Sequence, residues 1–248
     1  MARTIAISNQ KGGVAKSTTV VNLGAALARL GVRVLLVDVD MEGQLDLWMN
    51  VQPTATLYDV IVGSVATRSA VVALRDRLDL LASGGQELAR HIFQLRDARQ
   101  VPRLLTTVLA PLQRSYDVIL LDCAPGLDPL AIAAYAAADE VLIPTTTQRA
   151  GIDGMVKQIN TLDELQEAGY RMQISGIIPT LYDPQVKEHR FWLEQIERQF
   201  PGAVTPPIRH DVRLQELPRL GRTIFEHAPS SRGAADYLAL ARRVADGS

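Results

Sequence analysis

Two lysines bracket a glycine pair in the run Lys11-Gly12-Gly13-Val14-Ala15-Lys16-Ser17. An apolar stretch, Thr4 to Ile7, precedes the run, and an apolar-periodic stretch, Val20 to Ala28, follows it. A strand, a glycine-rich turn and a helix in that order form a phosphate loop, in which backbone N–H groups and the helix N-terminus face a polyphosphate. Lys16 is placed to reach the β- and γ-phosphates and the Ser17 hydroxyl to hold Mg²⁺, with the N–H groups of Gly12, Gly13, Val14, Ala15 and Thr18 completing the cradle. Gln10 and Ala15 stand where the general pattern has its outer glycines. Alanine keeps its N–H, so the cradle survives if φ at Ala15 is negative and is strained if φ is positive.

Two further carboxylate groups sit at the ends of apolar runs. Val37-Asp38-Val39-Asp40 closes one, where the acidic side chains either face phosphate and metal or simply meet solvent. Tyr116-Asp117-Val118-Ile119-Leu120-Leu121-Asp122 closes another, and its final carboxylate is suited to ordering Mg²⁺ through a water. Pro125-Gly126 after it suits a loop that senses the terminal phosphate. Cys123 reads as a small buried filler, because a cysteine nucleophile needs a neighbouring base.

These groups must be held by strands and helices in alternation. Strands are expected at 4–7, 33–38, 78–82, 117–122, 140–144 and 174–178, with a further one at 204–208 weakened by Pro206 and Pro207. Helices are expected at 17–30, 56–62, 100–113, 128–137, 151–169, 186–199 and 230–245. Alternation of this kind implies right-handed crossovers, so the fold class is α/β: a doubly wound, mostly parallel sheet flanked by helices. No composition shift marks a boundary, so residues 1–248 read as one domain with its ligands at the carboxyl ends of the strands.

The bulk numbers narrow the function. The chain has 248 residues, 47% hydrophobic and 21% charged, which describes a globular protein that buries a core without staples. A net charge of −1 gives no global pull toward DNA or acidic lipid, so any such contact needs a local patch. One cysteine excludes an internal disulfide and a CxxC metal site. Too few residues precede the first strand for a signal peptide, and no apolar run approaches ~18 residues, so a cytoplasmic protein is expected.

A lysine opening the loop, K-G-G-x-x-K-[ST], resembles the deviant Walker A loop of the ParA/MinD family, and Asn9-Gln10 ahead of it is similar to the ParA branch. Other segments resemble that family across nearly the whole chain. They are Asp38-Val-Asp40 with Gly43 in register, Asp122-Cys-Ala-Pro-Gly126, Ala136 to Pro144, Ile178 to Asp183, Pro206 to Glu216 and Ser231 to Tyr237. Met41, Glu42, Ala124 and Gly126 depart from its wording, and Asp139 reads as structural.

The resemblance implies a small ParA-type ATPase, without the extra N-terminal DNA-reading domain of the longer kind, using ATP/ADP and Mg²⁺ with weak intrinsic turnover. It implies catalytic roles for Lys11, Lys16 and Asp40: Lys11 reaches the nucleotide of a partner subunit across a sandwich dimer, and Asp40 positions the attacking water. Metal ligation falls to Ser17 and Asp122, and backbone contacts to adenine fall near Pro207 and Ile208. The implied partners are a second copy, non-specific DNA and a ParB-type activator, with no membrane, and the implied place is the nucleoid. Arg213 matches a family DNA-contacting arginine, while Gln185 replaces the other. Lys187, Arg190 and Arg219 are the local substitutes, with Arg209, Arg222, His189 and His210 as further members of a patch. The competing readings are a membrane-surface ATPase like MinD, a positioning ATPase for a protein assembly, and a metabolic phosphate-loop enzyme. Against the first, the end of the chain from Leu238 to Ser248 has short apolar side chains and reads as a packing helix.

Overall fold

The alternating apolar pattern is realised as a seven-stranded sheet in a computed structural model that describes residues 1–95 and 100–247. The strands are β1 (Arg3–Ile7), β2 (Val34–Asp38), β3 (Val71–Arg75), β4 (Leu78–Leu81), β5 (Val118–Asp122), β6 (Glu140–Thr146) and β7 (Gln173–Thr180). Their order is β3-β4-β2-β5-β1-β6-β7, parallel throughout except for β3, which runs antiparallel to β4 at the edge. The central strands β2 and β5 are buried at every position, as runs of Val, Leu and Ile covered on both faces must be.

Side-chain alternation divides the core in two. Ile5, Ile7, Leu36, Leu78 and Leu120 point to one face, against α1 (Lys16–Arg29) and α11 (Arg232–Asp246). The small helices α2 (Leu45–Met49), α9 (Val212–Leu220) and α10 (Ile224–His227) complete that layer. Ala6, Leu35, Val37, Ile119, Leu121 and Ile143 point the other way. There they meet α3 (Leu57–Ile61), α4 (Gly85–Gln94), α5 (Val101–Leu109), α6 (Pro129–Ala137), α7 (Arg149–Glu167) and α8 (Lys187–Gln199). The expected doubly wound α/β architecture is therefore present.

Three expectations change. The 204–208 segment is not a strand: it makes two isolated parallel bridges, Ile177 with Val204 and Tyr182 with Arg209, because Pro206 and Pro207 remove the N–H groups a ladder needs. The helix expected at 100–113 is α5 followed by a 3₁₀ turn, Ala110–Leu112. Strand β3 and helices α2, α4, α9 and α10 add to the expected set.

Candidate functional site

The register of the sheet brings the candidate residues together. Ile7 ends β1 opposite Asp122 of β5, and Asp122 stands opposite Asp38 of β2, so three neighbouring strands deliver the phosphate loop and both carboxylate segments to one edge. The loop is anchored from below. Asn9 donates from Nδ2 to the Pro144 carbonyl at 2.7 Å and accepts the Lys11 N–H at 2.9 Å, so β6 fixes the loop's entry. Thr180, at the end of β7, has one hydroxyl proton shared between the carbonyls of Val14 and Thr145, each 3.1 Å away. Gln10 bonds Thr161 of α7 at 2.8 Å. Sequence reasoning missed Thr180, whose only signal is a hydroxyl at a strand end.

Ala15 occupies the N-cap of α1 at φ 63°, ψ 36°, the left-handed region, and Gly13 has φ 74°. The condition under which Ala15 would be neutral, a negative φ, is not met, so the substitution stores strain. The two lysines are separated in environment. Lys16 is 8% exposed, its Nζ 3.4 Å from the Lys11 carbonyl; burial lowers its pKa while Asp122, Cys123 and Asp40 oppose that drop. Lys11 is exposed, its stem lying against Gly154 of α7, where an added Cβ would stand 2.7 Å from the Lys11 Cβ.

The carboxylates divide the work. Asp38 is fully buried and turned toward the backbone of the following loop: Oδ1 accepts the Asp40 N–H at 3.1 Å, and Oδ2 accepts those of Gln44 and Leu45 at 3.0 Å. Burial raises its pKa to about 7 against the pull of those N–H groups. It is a loop clamp, which the spacing of the two aspartates did not reveal. Asp40 is half-buried at the mouth, and its Oδ1 accepts the Glu42 N–H at 2.9 Å. Asp128 caps α6 by accepting the Ala131 N–H at 2.8 Å, and its pKa is raised by burial with a smaller contribution from Asp40.

Asp122 tests the fit of a metal. It is 2% exposed, and its pKa is pushed well up by burial and by Asp38 against the opposing pull of the Ser17 hydroxyl. Its Oδ1 has no hydrogen-bond partner among the described residues. A buried carboxylate oxygen without a donor is costly. A hydrated Mg²⁺ held by the Ser17 hydroxyl and reached by Asp122 would supply what that oxygen lacks, and an all-oxygen donor set suits Mg²⁺. Cys123 is buried with its thiol pKa raised by burial, the inert filler expected.

The more distant candidates fare unevenly. Ile208 is buried, its N–H donates to Pro179 at 2.8 Å and its carbonyl accepts from Tyr182 at 3.1 Å, so it has no free N–H for an adenine ring; Pro207 beside it is half-buried. Arg213 lies in the first turn of α9, exposed, and donates from Nε to Asp211 at 2.9 Å. The segments carrying Arg213 and Lys187 are joined where His210 N–H bonds the Tyr182 carbonyl at 2.8 Å. Lys187 and Arg219 are exposed, and Arg190 bonds the Pro184 carbonyl at 2.5 Å. Two members leave the patch. His189 is buried, its Nδ1 accepting the Asp183 N–H at 3.0 Å, and Arg209 is forked onto Asp236 at 2.7 Å. Asp139 is structural as expected, accepting the Thr4 N–H at 2.8 Å.

Known proteins are similar to this chain over its length. A family model described as an AAA domain matches residues 2–175. The chromosome-partitioning ATPase Soj of Thermus thermophilus is 37% identical over 245 residues, 98% of this chain and 95% of that protein. The sporulation initiation inhibitor protein Soj of Bacillus subtilis is 34% identical over 251 residues, 99% of each chain. Among solved structures, cobyrinic acid a,c-diamide synthase of Mycobacterium smegmatis with bound ADP and magnesium superposes with a TM-score of 0.82 at 29% identity, covering 99% of this chain and 94% of that one.

Proposed function

This chain belongs to the ParA/Soj family of ATPases, and from that premise we propose that it is an ATP-dependent dimerising switch that holds non-specific DNA and positions a cargo. The observation that carries the reading is the split between the two lysines: Lys16 is buried beside Asp122 and Asp40, while Lys11 is exposed at the mouth. One phosphate loop needs one lysine. A second, outward-facing one suits the phosphates of a nucleotide held by another copy.

In this reading the loop N–H groups and Lys16 bind the polyphosphate of ATP, and Ser17 and Asp122 hold Mg²⁺. The metal would supply neutralisation of the polyphosphate charge. Asp40 orients the attacking water, so hydrolysis depends on positioning and is slow unaided. A ParB-type partner accelerates it and releases the dimer. Arg213, Lys187, Arg190 and Arg219 supply phosphate contacts, doubled when two copies close. The protein then works in the cytoplasm on the nucleoid.

Two observations weigh against the competing readings. Tyr237, Leu240, Ala241 and Val244 of α11 are buried against the sheet layer, which leaves that helix no apolar face for a membrane, and no helix among the described residues is long and apolar enough to cross one. The Mycobacterium smegmatis structure carries a biosynthetic name on the same fold, but fold alone does not assign chemistry, and the two Soj proteins match at higher identity over the whole chain. The test is an electrophoretic DNA shift with ATP, ADP and no nucleotide, run beside vesicle co-sedimentation. A shift with ATP alone is expected. Vesicle binding with ATP and no DNA shift would overturn the reading.

A further inference from the structure

We infer that Ser83 is a positioning residue for ATP hydrolysis: its hydroxyl fixes the main chain of Asp40 and thereby aims the carboxylate that orients water. This rests on the reading of Asp40 given above and extends it to a second loop.

Ser83 follows β4 and is 1% exposed. Its Oγ donates to the Asp40 carbonyl at 2.6 Å. The Gly85 N–H donates to the same Oγ at 3.3 Å, which occupies a lone pair and leaves the hydroxyl proton directed at Asp40. On the other side of Asp40, its N–H is held by Asp38 Oδ1 at 3.1 Å. Both peptide groups flanking the Asp40 Cα are therefore tied to buried side chains. Only the side chain of Asp40 remains to be set. Its Oδ1 is occupied by the Glu42 N–H, and its Oδ2 has no partner among the described residues, so one oxygen is left for water.

The support is stiff. The Ser83 carbonyl accepts the Tyr58 N–H at 3.1 Å. A Cβ at Gly84, where φ is 92°, would stand 2.7 Å from both Thr56 Oγ1 and Tyr58 Cβ, so the turn is wedged against α3. A Cβ at Gly43, where φ is 55°, would stand 3.1 Å from the Gly85 backbone and from Ser83 Cβ, so the Asp40 loop packs directly on that turn. The aspartate's aim thus depends on a contact between the loops after β2 and after β4; the Asp40 carbonyl accepts the Gly43 N–H of its own loop at 3.0 Å, and among the described residues Ser83 is the one side chain of the loop after β4 that bonds it.

The experiment compares Ser83→Ala, Asp40→Asn and the double variant in the full chain, measuring steady-state ATP turnover, affinity for a fluorescent ATP analogue, and melting temperature. Misplacing a reacting group by ~1 Å costs as much as 10²-fold in rate, so loss of this one tie should lower kcat on the order of tenfold while leaving ATP affinity and melting unchanged. In the Asp40→Asn background, Ser83→Ala should slow turnover no further, because the group it positions is already lost. Wild-type turnover in Ser83→Ala overturns the inference, as does a loss of ATP affinity equal to the loss of rate, or effects that multiply in the double variant. If Asp40→Asn turns over normally, the Asp40 reading falls and takes this one with it. If Asp40→Asn is slow and Ser83→Ala is not, only the role of Ser83 falls. Should Ser83→Ala fail to fold, Gly43→Ala spreads the same contact with the hydroxyl intact. Slowed turnover with retained affinity then supports the inference, and normal turnover refutes it.

Discussion

Ala15 is where residue type and backbone disagree. An L-residue in the left-handed region costs about 1–2 kcal/mol, and glycine avoids that cost. Ala15→Gly should therefore raise stability by about 1 kcal/mol in urea unfolding, less what glycine's greater unfolded-state freedom takes back, with ATP affinity unchanged or tightened. A destabilised variant would mean that the φ of 63° is relaxed by the loop's other ties. Lys16→Ala should abolish nucleotide binding, because it removes the buried cation beside Asp122; near-normal affinity by equilibrium titration would sink the assignment. At this scale the phosphate loop was legible in the sequence, since glycines and lysines at fixed spacing carry their own mechanism. The division between Asp38 and Asp40 was not. A carboxylate that bonds backbone N–H groups and one that faces solvent look identical in sequence, and only the path of the loop tells them apart. The pairing of Arg213 with Asp211 was hidden for the same reason.

Among elements, the two faces of α1 decide how closely the helix approaches the sheet. A Cβ at Gly24 would stand 2.7 Å from Leu36 Cδ2 and 3.2 Å from Leu78 Cδ1, both in a filled core. Gly24→Val should cost about 1–3 kcal/mol through overpacking, read by denaturant midpoint, despite the gain from replacing glycine in a helix. The strand starts carry a pH signature. Arg33 forks onto Asp117, and these hydrogen bonds hold the Asp117 carboxyl down at about 2. A depressed acid stabilises the fold above its unfolded pKa of about 3.9 and loses that contribution as pH falls through the folded value. Both side chains are nearly half exposed, so Asp117→Asn should cost no more than about 1 kcal/mol at pH 7, and the gap from wild type should close between pH 4 and pH 2. The central strands were legible because burial on both faces writes an unbroken apolar run. Strand β3 was not, because its turn to β4 places Arg77 at φ 58° where glycine or asparagine would announce a hairpin. Helix α9 was obscured by Pro218 within it, and α4 by Gly84 and Gly85 at its start.

At the scale of the whole molecule the proposed function would require two copies and a polyanion, and each requirement can be removed alone. Lys11→Ala should leave ATP binding intact and prevent ATP-dependent dimerisation, measured by light scattering, because the exposed lysine is the one its own loop does not need. For DNA, a net charge of −1 supplies no general attraction, so affinity must come from a few local contacts that closure brings side by side. Arg213 is the member of the patch whose partner is a carboxylate: its Nε is spent on Asp211, which also caps α9 and bonds the Gly233 N–H at 3.3 Å. Charge reversal there would set two carboxylates against each other and blur a loss of DNA contact with a loss of fold. Arg213→Gln removes the cation and keeps the cap, since the Asp211 bonds to backbone N–H groups remain. Each phosphate neutralised on duplex DNA contributes about −0.9 to the slope of log K against log salt, so removing one contact per subunit should make the dimer's slope shallower by about 2. Affinity should fall for every sequence alike, because phosphate contacts carry no base information. ATP-dependent dimerisation should persist. An unchanged salt slope in a folded, dimerising Arg213→Gln variant would assign Arg213 to Asp211 alone, and leave the DNA to Lys187, Arg190 and Arg219.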